Sequence, residues 1–202
     1  MEEMFMRESS DLRIVKTKQL LKDALLMLIQ EEGFENITVK KLTERAKINR
    51  STFYAHFYNK YDLLEKTIDE ELLSFAEEVA PKSDDDLMIT HIPTSIYLRA
   101  TQYIYKQADF FKIMMGQSGI PAFQQQFLQI IKKYMATHLE KFHSKQDKME
   151  IPMELFISYI AHAYIGVISY WLESGMQYSP EYVAQKLANM TIGGPFSVAG
   201  LK

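Results

Sequence analysis

Hydrophobic and polar residues follow a helical period along almost the whole chain. Apolar residues recur at every third or fourth position, and no strand-like alternation persists for more than a few residues. The pattern predicts a first helix from about Asp11 to Glu32, ended by Gly33. After two short helices, longer ones are predicted at about 60–80, 93–107, 109–116, 120–143, 152–174 and 179–191. The predicted fold class is therefore all-α.

The segment from Ile37 to Leu64 predicts two short helices with a tight turn at 47–49. Thr38 is suited to cap the first helix. In the second helix, Phe53 and Phe57 are spaced i and i+4, so they share one face and are predicted to be buried. The opposite face carries polar and small side chains that a core cannot use. This pattern is typical of a helix-turn-helix, whose second helix presents its N-terminal side chains to the major groove of DNA.

The charge of this segment supports contact with DNA. Lysine and arginine outnumber Glu44 six to one between Thr38 and Lys60, so the segment carries +5 while the whole chain carries −3. Lys40 and Lys41 lie in the first turn of their helix, where the helix dipole disfavours cations. A DNA phosphate would offset that effect. A solvated lysine-rich face is the alternative for these two lysines taken alone.

The segment resembles the DNA-binding domain of the TetR/AcrR family of bacterial transcriptional regulators. The matching residues are Ile37-Thr38-Val39, Leu42, Ala46, Ile48, Ser51-Thr52-Phe53-Tyr54, His56-Phe57, Asn59-Lys60 and Leu63-Leu64. The motifs cover about a quarter of the chain, and the remainder is similar in length, helicity and layout. The resemblance implies a three-helix helix-turn-helix domain at residues 1–60, ordered from about residue 11. It also implies an effector-binding and dimerisation helical bundle at 61–202, with the helix from residue 60 as the link.

Side chains suited to DNA are concentrated on the exposed face of the second short helix. The fork of Arg50 can bind guanine O6 and N7, which gives roughly 1–3 kcal/mol of discrimination. Ser51 can bind a base edge or a phosphate, whereas Ala55 can offer only a methyl contact. The predicted DNA-contacting set is Thr38, Lys40, Lys41, Arg50, Ser51, Thr52, Tyr54, Ala55, His56, Tyr58 and Lys60. For Thr38, Lys40, Thr52, Tyr54, His56 and Lys60 the family resemblance also implies this role, and the operator sequence stays undetermined because the family varies at 50, 51, 55 and 58.

The C-terminal part is rich in aromatic residues and methionine at helical spacing. Such residues form either a core or an apolar pocket with a few polar anchors, and core packing is the alternative for each one alone. The resemblance implies a pocket for a small hydrophobic or aromatic effector. The candidate lining residues are Tyr103, Phe110, Phe111, Met114, Phe127, Ile131, Tyr159, His162 and Trp171.

The stretch from Leu155 to Leu172 has no charged residue and is apolar on nearly every side. Its length reaches the lower limit for a membrane span, but hydroxyl and imidazole side chains occur all round it, which argues against that reading. A helix buried against both its own subunit and a partner explains the composition better. The predicted homodimer contacts are Ala161, Ile165, Gly166, Ser169 and Leu172.

Composition and missing motifs exclude several classes of protein. The chain has no cysteine, so disulfides and thiolate metal sites are excluded, and a reducing cytoplasm is the expected compartment. The N-terminus lacks the pattern of a signal peptide. The run Asp84–Asp86 lacks metal-ligand spacing. No HExxH, GxSxG, P-loop or GxGxxG occurs, so no enzyme, metal or cofactor is expected.

The sequence therefore predicts a cytoplasmic, homodimeric, sequence-specific regulator that binds double-stranded DNA. A repressor released from a palindromic operator by a small molecule is the preferred interpretation. A DNA-binding regulator without any small-molecule effector stays open as the alternative.

Overall fold

The computed structural model describes residues 2–80, 94–116, 119–143 and 151–194, with side chains at 12–80, 94–116, 119–137 and 151–194. Apart from turns, its secondary structure is helical throughout these ranges. The helices are α1 Glu2–Glu32, α2 Val39–Ala46, α3 Arg50–Tyr54, α4 Lys60–Val79, α5 Thr94–Lys106, α6 Ala108–Met115, α7 Pro121–His143, α8 Met153–Glu173 and α9 Pro180–Gly193. The described residues contain no strand, and the all-α prediction is confirmed. The run at 81–86 and the tail after 194 lie outside the described residues.

The first helix is longer than predicted, because α1 begins at Glu2 rather than near Asp11. Its end at Glu32 is as predicted. Gly33 follows with φ 77°, a conformation that disfavours residues with a Cβ atom. The apolar residues of α1 are only partly buried. Leu21, Leu25, Leu28 and Ile29 are in the core, whereas Ile14 is 38% exposed.

Side-chain caps define the starts of the short helices. The Thr38 hydroxyl accepts a hydrogen bond from the Lys41 N–H at 3.3 Å, as the sequence predicts. The Asn59 side-chain oxygen accepts from the N–H groups of Tyr61 and Asp62, at 2.9 and 3.0 Å. Asp62 does not complete a capping box with Asn59. Its carboxylate instead accepts from the Tyr58 N–H at 2.9 Å, which closes the turn between α3 and α4.

The chain divides into two compact units within α4. One unit runs through Glu71 and includes the short segment ending at Ile120. The other unit takes Leu72–Gly116 and the residues from Pro121 onward. The sequence expectation of a boundary at residue 60 places all of α4 in the second domain and stays a prediction.

The core of the second unit is an aromatic cluster, formed by Phe75, Phe110, Phe111, Phe123 and Phe127. Each of these rings is at most 4% exposed. Neighbouring rings meet mostly edge to face, as Phe75 and Phe127 do with centroids 5.0 Å apart. Outside this cluster, Thr101 of α5 donates to the carbonyl of Pro180 at 3.0 Å and so links α5 to the start of α9.

Helix α8 is long and apolar enough, by length and composition alone, to cross a membrane. In the described residues it is the one helix that meets this condition, and a third of its most apolar 18-residue stretch is buried. Its buried side includes Trp171, whose indole N–H donates to the Tyr178 carbonyl at 2.9 Å. Its exposed side carries Glu154, His162 and Glu173, which suit water rather than lipid.

Candidate nucleic-acid interface and ligand cavity

The two faces of α3 have separate roles. Phe53 is fully buried and Phe57 is 4% exposed, with their ring centroids 5.8 Å apart, so these residues hold the helix on its unit. Arg50, Ser51 and Ala55 are exposed on the other side. Arg50 forms no ion pair with any described residue, which leaves its guanidinium available to an external partner.

The other predicted DNA-contacting residues differ in exposure. Tyr54 is 57% exposed and Tyr58 is 84% exposed, so both hydroxyls can reach a phosphate. Thr38 and Lys40 are exposed, and Thr52 and His56 are half-buried. The structure therefore brings these side chains to the surface around α2 and α3, and their contacts with DNA stay a prediction.

Two cations of α2 are paired with carboxylates of α1. Arg45 donates two hydrogen bonds to Glu31, at 2.7 and 2.6 Å, and this contact lowers the pKa of Glu31 and raises that of Arg45. Lys41 lies 2.5 Å from Glu32 and also donates to the Asn36 carbonyl at 3.1 Å. The positive charge that the segment offers to DNA is therefore smaller than its sequence count. Spacing along the chain could not reveal these pairs, because each partner belongs to another helix.

Lys60, a predicted phosphate contact, donates to two backbone carbonyls of the first unit. Its ammonium lies 3.0 Å from the Phe34 oxygen and 2.9 Å from the Glu35 oxygen. It also lies over the rings of Phe34 and Tyr61, at 4.7 and 5.2 Å from their centroids. Lys60 thus ties the start of α4 to the 3₁₀ turn Phe34–Asn36. A phosphate contact would have to use the third N–H of this ammonium.

A cavity of about 390 Å³ lies within the second unit, in the size range of small-molecule sites. It is bounded by residues of α4, α5, α7, α8 and α9, most of them apolar. The lining residues are Phe75, Ala76, Val79, Ala80, Ile96, Tyr97, Ala100, Thr101, Ile104, Phe127, Ile130, Ile131, Lys133, Tyr134, Met135, Thr137, Tyr164, Ile168 and Leu187. None of these is a carboxylate, and the one cation, Lys133, is exposed.

Two lining residues of the cavity, Tyr97 and Tyr164, bring their hydroxyl groups together with that of Thr191; we call these three groups the hydroxyl cluster. Tyr164 donates to Tyr97, and Tyr97 donates to Thr191 at 3.1 Å. Thr191 donates to the Leu187 carbonyl at 2.9 Å. Burial raises the pKa of both tyrosines above the ordinary value, so both are neutral at physiological pH.

Of the predicted effector-contacting residues, Phe127 and Ile131 line the cavity. Four others are buried in the packing of the second unit without lining it, namely Phe110, Phe111, Met114 and Trp171. Tyr103 packs against Phe75 with ring centroids 5.7 Å apart. Tyr159 and His162 are exposed on α8. The His162 ring contacts the Ser158 carbonyl at 2.7 Å. Seven of the other lining residues are alanine or isoleucine, which have no chemical signature. Five others, Phe75, Tyr97, Tyr134, Met135 and Tyr164, are of the aromatic or methionine type that the sequence points to, but they are not among the predicted residues.

The predicted dimer residues fall on different sides of α8. Ala161 and Leu172 are buried within the subunit, and Ile165 and Ser169 are half-buried. Gly166 is exposed, and a Cβ atom built there would meet nothing within 4 Å. The exposed stripe of α8 consists of Leu155, Tyr159, His162, Ala163, Gly166 and Tyr170. Among the described residues there is no group of three or more His, Asp or Glu placed to hold a metal ion.

Comparison with known proteins identifies the family of both units. A model described as "Bacterial regulatory proteins, tetR family" matches residues 21–67. A second model, described as "Transcriptional regulator C-terminal region", matches residues 93–193. Together they include α2 and α3 as well as the helices that line the cavity from α5 onward.

Individual relatives are distant in sequence. YxbF of Bacillus subtilis (strain 168), described as an uncharacterized HTH-type transcriptional regulator, is 24% identical over 169 residues, which is 83% of this chain and 42% of that protein. The chain spans less than half the length of the curated relatives that it matches.

Solved structures share the fold over most of both chains. FadR from Bacillus subtilis in complex with stearoyl-CoA has a TM-score of 0.61 at 17% identity, with 87% of this chain and 98% of that chain covered. SmeT in complex with triclosan has a TM-score of 0.71 at 16% identity, with 88% and 90% covered. The matched families are transcriptional regulators rather than enzymes, in agreement with the sequence prediction. The two family models, with the helix-turn-helix and helical unit that they cover, show that the chain belongs to the tetR family of bacterial transcriptional regulators.

Proposed function

We propose that the chain is a cytoplasmic, homodimeric repressor that binds a two-fold operator through α3 and releases it when a small molecule occupies the cavity. The observation that carries the DNA-binding part is the division of α3. Its buried phenylalanines fix the helix, and Arg50, Ser51 and Ala55 have no packing role in the subunit. Helix-turn-helix proteins contact base edges in the major groove with the exposed side chains at the N-terminus of their second helix.

A second copy of the chain is part of this proposal. A five-residue helix reads only a few base pairs, so specificity requires two copies on a palindromic site. The exposed stripe of α8 supports a dimer surface there, because Leu155, Tyr159 and Tyr170 are each about 60% exposed. Gly166 lies in the middle of this stripe and would permit close approach of a helix from the partner.

The cavity favours an effector over the alternative of a regulator without one. The atoms that line an empty apolar cavity lack van der Waals contacts on one side, and a bound molecule would restore them. FadR and SmeT, which share the fold, were solved with stearoyl-CoA and triclosan, and this supports binding of a small molecule by this chain as well.

Selection of bound fragments from the host genome tests the proposal. The purified chain should enrich a small number of fragments that share a two-fold sequence motif. Arg50→Ala should still enrich fragments, but the base pair that Arg50 reads should become variable in their shared motif. If the unaltered chain enriches no fragment over random DNA, the DNA-binding proposal is wrong.

Sedimentation measurements test the dimer. The unaltered chain should sediment as a dimer, and Gly166→Arg should sediment as a monomer because a long charged side chain would block the close approach of the two α8 helices. Gln125→Arg, on the exposed side of α7, is the matched control and should leave the dimer intact. Equal mass for all three proteins would contradict an α8 interface.

A further inference from the structure

The hydrogen bonds of the hydroxyl cluster end at one backbone carbonyl. The Leu187 carbonyl can only accept, so Thr191 directs its proton to that oxygen at 2.9 Å. The Thr191 oxygen then accepts from Tyr97 at 3.1 Å. Tyr97 in turn accepts from Tyr164. All three hydroxyl protons are therefore used inside the protein.

The Tyr164 oxygen is the first member of this chain of hydrogen bonds. It donates its proton to Tyr97 or to Thr191, which lies 2.8 Å away, and it receives no proton from Thr191, whose hydroxyl donates to the Leu187 carbonyl. Its lone pairs are therefore the acceptor that the cluster can offer to a molecule in the cavity. A complementary ligand has to present a hydrogen-bond donor to it.

The charge of the lining excludes an ion deep in the cavity. The tyrosines are neutral, none of the lining residues that the structure describes is acidic, and the Lys133 ammonium is exposed to water. Burying an ionised group without a partner is far more unfavourable than burying a hydroxyl that is hydrogen-bonded. The donor that reaches Tyr164 should therefore be a neutral O–H rather than an ammonium.

The remaining walls require an apolar body. Phe75 and Phe127 present ring surfaces, and Ile96, Ile104 and Ile168 add aliphatic surface. At about 390 Å³ the cavity is within the size range of small-molecule sites, enough for an aromatic ring with an alkyl chain.

We propose that the cavity takes an uncharged apolar molecule with one hydroxyl group, of the alkylphenol or long-chain alcohol class, whose O–H donates to Tyr164. This inference rests on the proposed effector site and names its ligand class. Tyr164 is the binding residue, and Tyr97 and Thr191 are positioning residues that fix the direction of its hydrogen bond.

Titration calorimetry with three matched probes tests the inference. The probes are para-octylphenol, its methyl ether para-octylanisole, and para-octylbenzoate. The phenol should bind roughly three- to tenfold more tightly than the anisole, which is the value of one net hydrogen bond, and the benzoate should bind more weakly than either. Tyr164→Phe should abolish the preference for the phenol and leave the affinity for the anisole unchanged.

Two further variants separate binding from folding. Tyr159→Phe removes a hydroxyl from the exposed side of the same helix and should leave all three affinities unchanged. Thr191→Val removes the hydroxyl that accepts from Tyr97 and donates to the Leu187 carbonyl. It should therefore reduce the preference for the phenol over the anisole. Thermal unfolding of each variant, measured without ligand, identifies any loss that is due to misfolding.

Several outcomes would overturn the inference. Equal binding of phenol and anisole by the unaltered protein is one, and absence of binding by all three probes is another. Tightest binding of the benzoate, lost in Lys133→Met but not in Tyr164→Phe, would assign an anionic ligand held at Lys133 instead.

These results are independent of DNA binding. If genomic fragments are enriched but the hydroxyl preference is absent, the ligand class is wrong and the proposed function stands. If the preference is present but no fragment is enriched, the proposed function is wrong and the cavity assignment stands.

Discussion

The ammonium of Lys22 lies 2.7 Å from a carboxylate oxygen of Glu71, so an ion pair joins α1 to α4 within the first unit. The two partners differ in exposure, since the Glu71 side chain is 4% exposed and that of Lys22 is 22% exposed. Removal of the cation leaves a carboxylate in the protein interior, whereas removal of the carboxylate leaves an amine that can reach water.

We therefore expect Lys22→Met to be more destabilising than Glu71→Gln. The first change should lower the free energy of unfolding by about 2 kcal/mol, which is below the cost of breaking a fully buried pair because Lys22 is partly exposed. The double variant Lys22→Met/Glu71→Leu should recover part of that loss. Urea unfolding of the three variants measures these differences. A larger loss of unfolding free energy for Glu71→Gln than for Lys22→Met would show that the difference in burial does not determine which variant is less stable.

Arg50→Ala should change DNA specificity without changing stability. The side chain is exposed and forms no ion pair with a described residue, so its loss should alter the free energy of unfolding by less than about 0.5 kcal/mol. Discrimination at one base pair of the operator should fall by about 1–3 kcal/mol. Competition binding with single-base operator variants measures the change. Lys106→Ala, an exposed cation of α5, controls for net charge and should leave discrimination intact. Equal loss on operator and random DNA would exclude Arg50 as a base reader.

The pairing of Arg45 with Glu31 predicts how DNA affinity depends on salt. Because this guanidinium is already paired within the protein, Arg45→Gln should leave the slope of log affinity against log salt nearly unchanged. Lys40 lies 3.8 Å from Glu44 and is 64% exposed, so it remains able to contact a phosphate. Lys40→Gln should reduce the slope by about one. A matching reduction for Arg45→Gln would show that DNA displaces Glu31 from this pair.

Asp62 predicts a pH dependence of stability. The Tyr58 N–H, and to a smaller extent Lys66, lower the pKa of this carboxyl below the ordinary aspartate value. A lowered folded-state pKa gives stabilisation that is present above the unfolded-state value, near 3.9, and lost as pH falls through the lowered value. Nuclear magnetic resonance titration should place the midpoint below that of a model aspartate. Lys66→Met should leave most of the shift, because the backbone hydrogen bond is the larger cause. If the pKa of Asp62 in Lys66→Met equals that of a model aspartate, Lys66 rather than the Tyr58 N–H is the main cause of the shift.

The first unit could be predicted closely because its determinants are local. Thr38 caps α2 by accepting a hydrogen bond from the N–H of Lys41, only three residues later. The i and i+4 spacing of Phe53 and Phe57 predicts the buried face that the structure shows. The start of α1 at Glu2 differs from the sequence prediction, which places it near Asp11. The ion pairs of Lys41 and Arg45 escaped prediction because their partners lie on another helix.

The cavity escaped prediction for a different reason. The sequence pattern favours aromatic residues and methionine as the pocket lining, but several of these, such as Phe111 and Met114, are fully buried in the core. A cavity forms where the side chains of neighbouring helices are too short to fill the space between them. Small residues such as Ala76 and Ala100 therefore determine its position as much as large residues do. Likewise, Tyr97, Tyr164 and Thr191 are far apart in sequence, and only folding brings their hydroxyls together.

The division of α3 into a packing face and an exposed face has a consequence for gene duplication. Because stability depends on Phe53 and Phe57, substitutions at Arg50, Ser51 and Ala55 incur little folding penalty. A duplicated copy of this gene could therefore acquire a new operator through a few tolerated changes, with its fold and its cavity retained. For the same reason, these three positions are the natural ones to randomise when an operator preference is redesigned.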